Sequence, residues 1–372
     1  MKNISKFILL ISVAIFAVVS FNYINKSGFF EKYPDAVYMD ENSAAGRIAY
    51  SQLNNKEKAV YTALYNGIRL HKENVALPYE ISGDEYDKLY CLIEKQESDL
   101  FYISSSYKSA VRIRNAQIIY NADKNDLKSL QGELEEKSDS ILASLTSDMS
   151  DYEKLLYLHD YIVKNCVYKV DDEPFSGTAY GCIVQGSARC EGYAKALDYL
   201  LKKTGIACDV VIGTAYTGEN HAWNQVRIDG QWYNCDVTWD DTDDQYNGRH
   251  SYMMCNDLHF DKTHIADKSY FTPMVCSSTD SYFTHQNLYI STLDDADTIL
   301  INELSTLVAG DSFELMMADD NVYKQFKETY IDGERLFTIL IENSRSGSEG
   351  EKISFNLMEN EENNTMLIGL VE

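Results

Sequence analysis

The sequence predicts an α+β protein, in which amphipathic helices pack on antiparallel strands. One observation is a helix start made of a polar cap with glutamate three residues on, at Asn54, Ser82 and Ser150. A second is a pair of alternating runs joined by Asp229-Gly230, a dipeptide typical of tight hairpins. The third is Cys190, which stands where a loop of small residues gives way to a helix that Gly205 ends.

The hydrophobic content is sufficient for substantial cores, and the charge excludes one class of partner. The chain has 372 residues, 45% of them hydrophobic and 12% aromatic, which suggests two or three domains. A net charge of −25 and a pI near 4.6 argue against a nucleic-acid partner, because no basic patch stands out to neutralise phosphates. The eight cysteines are scattered through apolar segments, so we expect few or no disulfides.

Residues 1–26 have the pattern of an export segment. Lys2 and Lys6 precede an apolar run at residues 7–19, and polar residues return from Ser20. Extended to Ile24, the run nearly reaches the length of a membrane span, so both a cleaved signal peptide and an uncleaved anchor remain open. We expect a protein that is secreted or anchored to the outer membrane face by residues 7–24, with no other membrane contact.

Residues 27–146 are predicted to form an N-terminal αβ domain. After a weakly patterned lead-in, two capped helices precede three strands, and a long helix follows at about residues 125–145. The strands are predicted at 99–104, 107–113 and 117–122. Catalytic residue types do not cluster here, so a supporting or recognition role is expected.

Residues 147–285 are predicted to form the catalytic domain. His159 lies on the apolar face of its first helix, which is typical of a core histidine. The Cys190 helix precedes a strand at 209–215 and a hairpin of strands at 221–228 and 231–239.

The two-residue turn fixes the register of this hairpin. Ile228 must face Gln231, which places His221 opposite Thr238. His221 and Asp236 are then diagonal neighbours on one face, about 7–8 Å apart before their side chains reach out. A hydrogen bond between the imidazole and the carboxylate is therefore expected.

Cys190, His221 and Asp236 together have the residue types of a thiol catalyst. A thiol at a helix start lies beside unsatisfied N–H groups and the positive end of the helix dipole, which favour the nucleophilic thiolate. The nucleophile needs a base, and the base needs an orienting acceptor. His221 would take the thiol proton and later protonate the leaving amine.

These residues stand in motifs that resemble a known family. Cys-Glu-Gly-Tyr-Ala from Cys190, His-Ala-Trp-Asn from His221 and Asp-Val-Thr-Trp from Asp236 resemble the transglutaminase-like superfamily, particularly its bacterial thiol-protease-like members. The resemblance covers about residues 152–276. It implies a papain-like core with a nucleophile helix on an antiparallel sheet, a Cys190–His221–Asp236 triad, acyl transfer through a thioester, and no cofactor.

The resemblance also implies an oxyanion hole made of the nucleophile's own N–H and one side-chain donor. Gln185, five residues before the cysteine, is a candidate donor, although a surface-loop glutamine explains it equally well. Tyr180 is a weaker candidate for the cleft. Trp223 and Trp239 are expected to wall the cleft or to pack in the core.

The rest of the chain offers no further chemistry. Aspartates at 240–244 are expected to form a solvated turn, and the histidines at 250, 259, 264 and 285 show no paired metal-ligand spacing, so no metal site is expected. Residues 286–372 predict a small C-terminal αβ domain that supports or binds. Its pattern is helix, strand, helix and three strands, the last three at 335–343, 352–360 and 366–372.

Three functions remain open from the sequence. The first is an exported peptidase or amidase, the second a protein-glutamine γ-glutamyltransferase that cross-links, and the third a non-catalytic cell-envelope binding module on the same scaffold. In each case the expected partner is a peptide or protein, with cell-wall peptide among the candidates. The oligomeric state is left open.

Overall fold

A computed structural model describes residues 33–171, 173–242, 249–308, 310–343 and 354–371, together with Val18 and Ser20. The predicted export segment, apart from those two residues, lies outside the described part. Within the described part, no helix combines the length and apolar character needed to cross a membrane.

The described helices and strands alternate along the chain. The helices are α1 (Glu41–Ala44), α2 (Ile48–Gln52), α3 (Asn55–Arg69), α4 (Gly83–Gln96), α5 (Lys124–Leu142), α6 (Asp151–Asn165), α7 (Cys190–Thr204), α8 (Val237–Asp240), α9 (Asp257–Phe260), α10 (Tyr282–His285), α11 (Leu293–Leu304), α12 (Asp320–Phe326) and α13 (Arg335–Asn343). The strands are β1 (Asn74–Ser82), β2 (Arg112–Gln117), β3 (Val167–Tyr168), β4 (Ser187–Ala188), β5 (Cys208–Ala215), β6 (Asn220–Ile228), β7 (Gln231–Cys235), β8 (His264–Ala266), β9 (Tyr289–Ile290), β10 (Ser312–Met317), β11 (Ser354–Asn360) and β12 (Thr365–Val371).

The three predicted capping boxes are confirmed at the starts of α3, α4 and α6. In each, the cap side chain accepts the amide of a glutamate whose carboxylate bonds back to the cap amide. Gly205 ends α7 in the left-handed conformation at φ 85°, a backbone that glycine adopts without strain.

The strands predicted at 107–113 and 117–122 are replaced by one strand between them, β2 at Arg112–Gln117. Two other predicted strands, at 99–104 and 335–343, are wrong. Residues 99–104 form turns after a short 3₁₀ helix, Ser98–Leu100, and only Ile103 makes a single bridge, to Tyr120. Residues 335–343 form α13, because Leu336, Ile339 and Leu340 are buried at helical spacing. Both segments are apolar runs too short for periodicity alone to separate strand from helix.

The sheet that carries the site is antiparallel, with strand order β7-β6-β5-β8. The predicted hairpin register is confirmed, since Ile228 pairs with Gln231 and Asn224 with Cys235. Asp229 and Gly230 have φ of 48° and 82°, the positive values of a type I′ turn.

Helix α7 lies at the centre of the larger hydrophobic core. Tyr193, Leu197 and Leu200 are fully buried, and Asn224 of β6 donates to the Ala194 carbonyl at 2.9 Å. This core runs from Ile48 to Phe271 and so crosses the predicted boundary at residue 146.

A second hydrophobic cluster, between Phe283 and Ile368, belongs to the C-terminal part. Its sheet has the order β11-β12-β10-β9, and α11 and α13 pack together. The predicted division of the chain into domains stays a prediction, but the C-terminal part does have its own core.

Candidate active site

Cys190 is the first residue of α7. Arg189 caps the helix with extended backbone and offers no side-chain cap bond, so the first amides of the helix have no acceptor inside it. The backbone approaches residues 176–178 closely: a Cβ on Gly192 would lie 2.7 Å from the Ser176 carbonyl oxygen and 2.6 Å from Ala188 Cβ. Only glycine allows this contact, which fixes where the helix begins.

His221 stands near the start of β6, with 8% of its surface exposed. Its Nε2–H donates to Asp236 Oδ2 at 2.6 Å, and the Cys190 thiol is near enough to the ring to raise its pKa. Because Nε2 is taken by the carboxylate, Nδ1 is the nitrogen left to face sulfur. The structure thus brings together the thiol, imidazole and carboxylate that the sequence singled out.

Asp236 does not continue β7, which corrects the predicted strand at 231–239. The strand ends at Cys235, and Asp236 caps α8 by accepting the amides of Thr238 at 3.0 Å and Trp239 at 3.4 Å on Oδ1. Its other oxygen, Oδ2, accepts from His221 and from His264 at 3.1 Å. With four donors, the carboxylate is held in one orientation.

Electrostatics favour charged forms of both partners. Burial alone would lower the pKa of His221, but Asp236 and Cys190 raise it to about 10. Burial alone would raise the pKa of Asp236, but His221 and His264 hold it well below its usual range. At neutral pH the geometry therefore supports an imidazolium beside an aspartate, with the thiol next to the positive ring.

A cavity of about 640 Å³ opens beside the thiol. The residues that line it come from α4, the start of α7, β5, β6 and β8: Cys91, Lys95, Arg189, Cys190, Glu191, Ile212, Gly213, Thr214, Asn220, His221, Ala222, Ile265, Ala266, Asp267 and Tyr270. This volume is in the range of sites that take small ligands or the side chains of a peptide.

One wall of the cavity carries a compact charge cluster. Lys95 bonds Glu191 and, at 2.7 Å, Glu94, while Arg189 reaches Glu191 at 3.0 Å. Lys195 bonds Glu94 at 2.7 Å. The three cations exceed the two anions by one, which is notable in a chain of net charge −25.

Two predicted site residues lie away from this cavity. Gln185 is exposed at the end of a π-helical turn, Gly181–Gln185, and does not line the cavity, so its position gives no support to an oxyanion role. Tyr180 is buried, donates to Glu133 at 2.6 Å and stacks on Phe101. It fills the core rather than the cleft.

The two predicted tryptophans pack around the histidines. Trp223 is buried on β6, with its ring 6.2 Å from that of His221. Trp239 is half-buried, 5.2 Å from His221 and 4.4 Å from His264 between ring centres. Neither tryptophan lines the cavity, so both pack against the imidazole rings outside it.

Sequence reasoning missed His264. This residue begins β8, is fully buried, donates to Asp236 and bonds Thr263 through Nδ1 at 2.9 Å. Its 28-residue separation from Asp236 gave no pairing signal. The strand itself, His264–Ala266, is also too short for its alternation to predict where the imidazole points.

A family model matches the part of the chain that contains these three residues. Residues 139–237 match the model described as "Transglutaminase-like superfamily", and this segment contains Cys190, His221 and Asp236. The chain contains a transglutaminase-like core. The match ends within α8, so β8 with His264 and the N-terminal cavity wall lie outside it.

Solved structures give similarities of low score. A Cytophaga hutchinsonii protein assigned as a cysteine protease has 20% identity and a TM-score of 0.24 over 32% of this chain and 43% of its own. A structure described as a TGase has 16% identity and a TM-score of 0.30 over 53% of this chain and 60% of its own. A Parabacteroides distasonis protein assigned as a protease has 10% identity and a TM-score of 0.23 over 72% and 56%.

The chain covers less than two thirds of each of those chains, and scores of this size carry no argument about function. No curated protein matches the sequence.

Proposed function

We propose that the chain is an exported cysteine-dependent amide hydrolase, a peptidase or amidase that works through the triad Cys190, His221 and Asp236. The observation that carries the proposal is the His221 ring, which bonds Asp236 at 2.6 Å and lines the same open cavity as the Cys190 thiol. Export is supported by the pattern of residues 1–26.

The reaction follows from these positions. The Cys190 thiolate attacks the carbonyl carbon of a peptide-type amide, and a tetrahedral adduct forms. His221, which holds the thiol proton, protonates the leaving nitrogen as the C–N bond breaks and a thioester remains. His221 then takes a proton from water, which attacks the thioester and releases the acid and the thiol.

The adduct's oxygen carries negative charge and needs hydrogen-bond donors. The Cys190 amide, which begins α7 and has no acceptor within the helix, is our candidate donor, and the positive end of the helix dipole adds to it. Gln185 is not assigned this role because it does not line the cavity.

Residue-resolved alkylation tests the thiol. Iodoacetamide labelling across pH, read by mass spectrometry, should show Cys190 reacting at lower pH than Cys91, and His221→Ala should abolish that advantage. Cys91 is an internal control, because it lines the same cavity and burial raises its pKa to about 11. Equal pH profiles for the two thiols in the wild-type chain would sink the proposal.

A cross-linking transferase is the second candidate. Asp267 lines the cavity and offers a carboxylate that would attract a protonated amine acceptor. A peptide library incubated in ¹⁸O water with an added primary amine separates the two functions. Incorporation of ¹⁸O into a new carboxylate indicates hydrolysis, and a mass gain equal to the amine indicates transfer. Saturable peptide binding without either product would favour a non-catalytic module.

A further inference from the structure

A second group of histidines and carboxylates lies behind the triad, outside the cavity. Asp160 Oδ1 accepts from His250 Nε2 at 2.8 Å and lies 3.2 Å from His159 Nδ1. Each of the three residues offers one atom that could bind a metal, and these atoms all lie within 4.8 Å of one another. The sequence gave no spacing signal for this group because His250 is 90 residues from Asp160.

His159 is held by a second carboxylate. Its Nε2 bonds Asp240 Oδ2 at 3.0 Å, and Asp240 is fixed in turn by the Tyr252 amide at 3.0 Å; neither His159 nor Asp240 is exposed. A proton on Nε2 leaves the Nδ1 lone pair directed at an oxygen of Asp160. A metal-ligating histidine is commonly oriented in this way, by a carboxylate on its other nitrogen.

Carboxyl groups are concentrated around this group. Besides Asp160, the buried Asp240 bonds His159 at 3.0 Å, and the buried Glu314 accepts the His250 amide at 2.7 Å. His250 Nδ1 has no hydrogen-bond partner among the described residues. Lys164 lies 3.9 Å from Asp160 but is exposed. A bound dication would offset the charge of the carboxylates.

We propose that His159 Nδ1, Asp160 Oδ1 and His250 Nε2 bind a zinc ion. Two imidazole nitrogens and one carboxylate oxygen are ligands that zinc accepts in tetrahedral sites, and water would complete the four. With metal bonds of about 2.0–2.1 Å, tetrahedral donors lie about 3.3 Å apart, so the 2.8 and 3.2 Å separations need only a small expansion. Asp160, whose side chain is 29% exposed, provides access for the ion and the water.

The zinc ion would stabilise the position of Asp236 through α8 and would take no part in the reaction. It would join α6 to the segment at His250, and through His159 it would fix Asp240, the last residue of α8. The same helix begins at its cap, Asp236, the acid that orients His221. His250 also stacks on Tyr282 at 3.9 Å, so the ion would lie where the C-terminal part meets the core.

Metal analysis of the full-length protein tests the proposal. Zinc sulfate is added after chelation and dialysis, and we expect about one equivalent to remain by elemental mass spectrometry. Cobalt substitution should give the visible bands of a tetrahedral site. His250→Gln and Asp160→Asn should each lose most of the bound zinc. His285→Gln should keep it, because this histidine bonds Asp280 and stacks on Tyr152, outside the group.

Two results would overturn the proposal. One is a wild-type chain that retains no zinc after dialysis, which would leave a buried ion-pair network as the full account of this group. The other is zinc retained by His250→Gln but lost in His264→Gln, because His221, Asp236 and His264 also converge within 4.8 Å and would then be the site. Circular dichroism of each variant shows whether it is folded, and the wild-type measurement needs no variant.

Discussion

At the residue scale, the central feature is that Asp236 shares one oxygen between two imidazoles. His221 and His264 both donate to Oδ2, while backbone amides take Oδ1. A carboxylate with four donors strongly favours its ionised form, since each donor stabilises the negative charge. This anion is what keeps the His221 proton in place.

Replacing the Asp236 carboxylate should shift the alkaline limit of activity to lower pH. In Asp236→Asn, the pKa of His221 should fall from about 10 toward its ordinary value, because burial then acts without the opposing charge. In the proposed mechanism the protonated His221 ring acts as general acid, and this form is lost as pH rises through its pKa. The alkaline limb of kcat/KM should therefore move to lower pH, with kcat reduced about 100-fold or more.

The matched control for this measurement is Asp267→Asn, which removes a carboxylate from the cavity wall. It should leave the alkaline limb in place and change mainly KM. An Asp236→Asn profile with an unmoved limb would mean that another group sets it.

His264 is expected to act as a positioning residue. His264→Ala removes one buried donor to Asp236 and should lower kcat about 10- to 100-fold with little change in KM, in line with about 1.5–3 kcal/mol for a hydrogen bond to a charged group. His264→Gln retains an N–H near the position of Nε2 and should recover most of that loss. A purely structural role would instead lower thermal stability in both variants and leave kcat of the folded enzyme unchanged.

The sequence predicts one half of this residue arrangement and misses the other. The Asp229-Gly230 turn sets the register as far as the pair Asn224–Cys235, and Asp236, the next residue, then leaves the strand to cap α8 and bonds His221. His264 could not be found in the same way, because β8 pairs with β5 through only three residues and no turn signal connects them. Gln185 shows the opposite case, since proximity in sequence to Cys190 did not place it at the cavity.

At the element scale, the start of α7 depends on a close backbone contact. Gly192→Ala would place a Cβ 2.7 Å from the Ser176 carbonyl oxygen and push the first turn, with Cys190, away from its loop. We expect a loss of about 1–3 kcal/mol of unfolding free energy, together with reduced activity. Chemical denaturation followed by circular dichroism, with activity measured on the folded variant, checks both.

Gly132→Ala is the matched control for that substitution. Gly132 lies in the middle of α5, and a Cβ there would have no atom within 4 Å. Alanine should stabilise the helix by about 0.5–1 kcal/mol. If the two variants lost stability equally, crowding at α7 would not be the cause.

Elements with caps were predictable and uncapped apolar runs were not. The helices that begin after Asn54, Ser82 and Ser150 carry their own start signals in side chains that bond the backbone. Residues 335–343 lack such a signal and are rich in β-branched and aromatic side chains, which favour a strand locally. Packing against α11 overrides this preference, since Ile339 and Leu336 are completely buried in the helix.

At the scale of the whole molecule, two cores meet at Glu314. This carboxyl lies on β10 of the C-terminal part and accepts the His250 amide at 2.7 Å and the Ser251 hydroxyl. Ser251 also bonds Thr365 of β12 at 2.7 Å. The contact is buried and polar, so its geometry specifies how the two parts dock.

Glu314→Ala should weaken that docking. The His250 amide loses its buried acceptor, which costs about 1–3 kcal/mol, while the Ser251 hydroxyl keeps Thr365 as a partner. Differential scanning calorimetry should then separate the unfolding of the C-terminal part from that of the larger core. Glu328→Ala, at an exposed i,i+4 pair with Lys324, should change stability by no more than about 0.5 kcal/mol. Coincident single transitions in both variants would contradict this account.

The sequence predicts the order of the parts but not how they share cores. Residues 27–146 looked separable because their helices and strands carry complete local signals. In the structure, Ser98 donates to Asp198 of α7 at 2.6 Å, and Gln96 bonds the backbone of Val210 in β5. Such contacts join residues about 100 positions apart, and no local pattern encodes them.

The wall formed by α4 has a consequence for exchanging parts between related proteins. Cys91 and Lys95 border the cavity, yet they precede the matched segment 139–237 by more than 40 positions. A chimera that received only this segment would inherit the proposed nucleophile and base but take one side of the cleft from its host. Reactivity would therefore be transferred with segment 139–237, and part of the substrate selectivity with α4. Mutating the α4 residues that border the cavity offers a route to new substrates with the same chemistry.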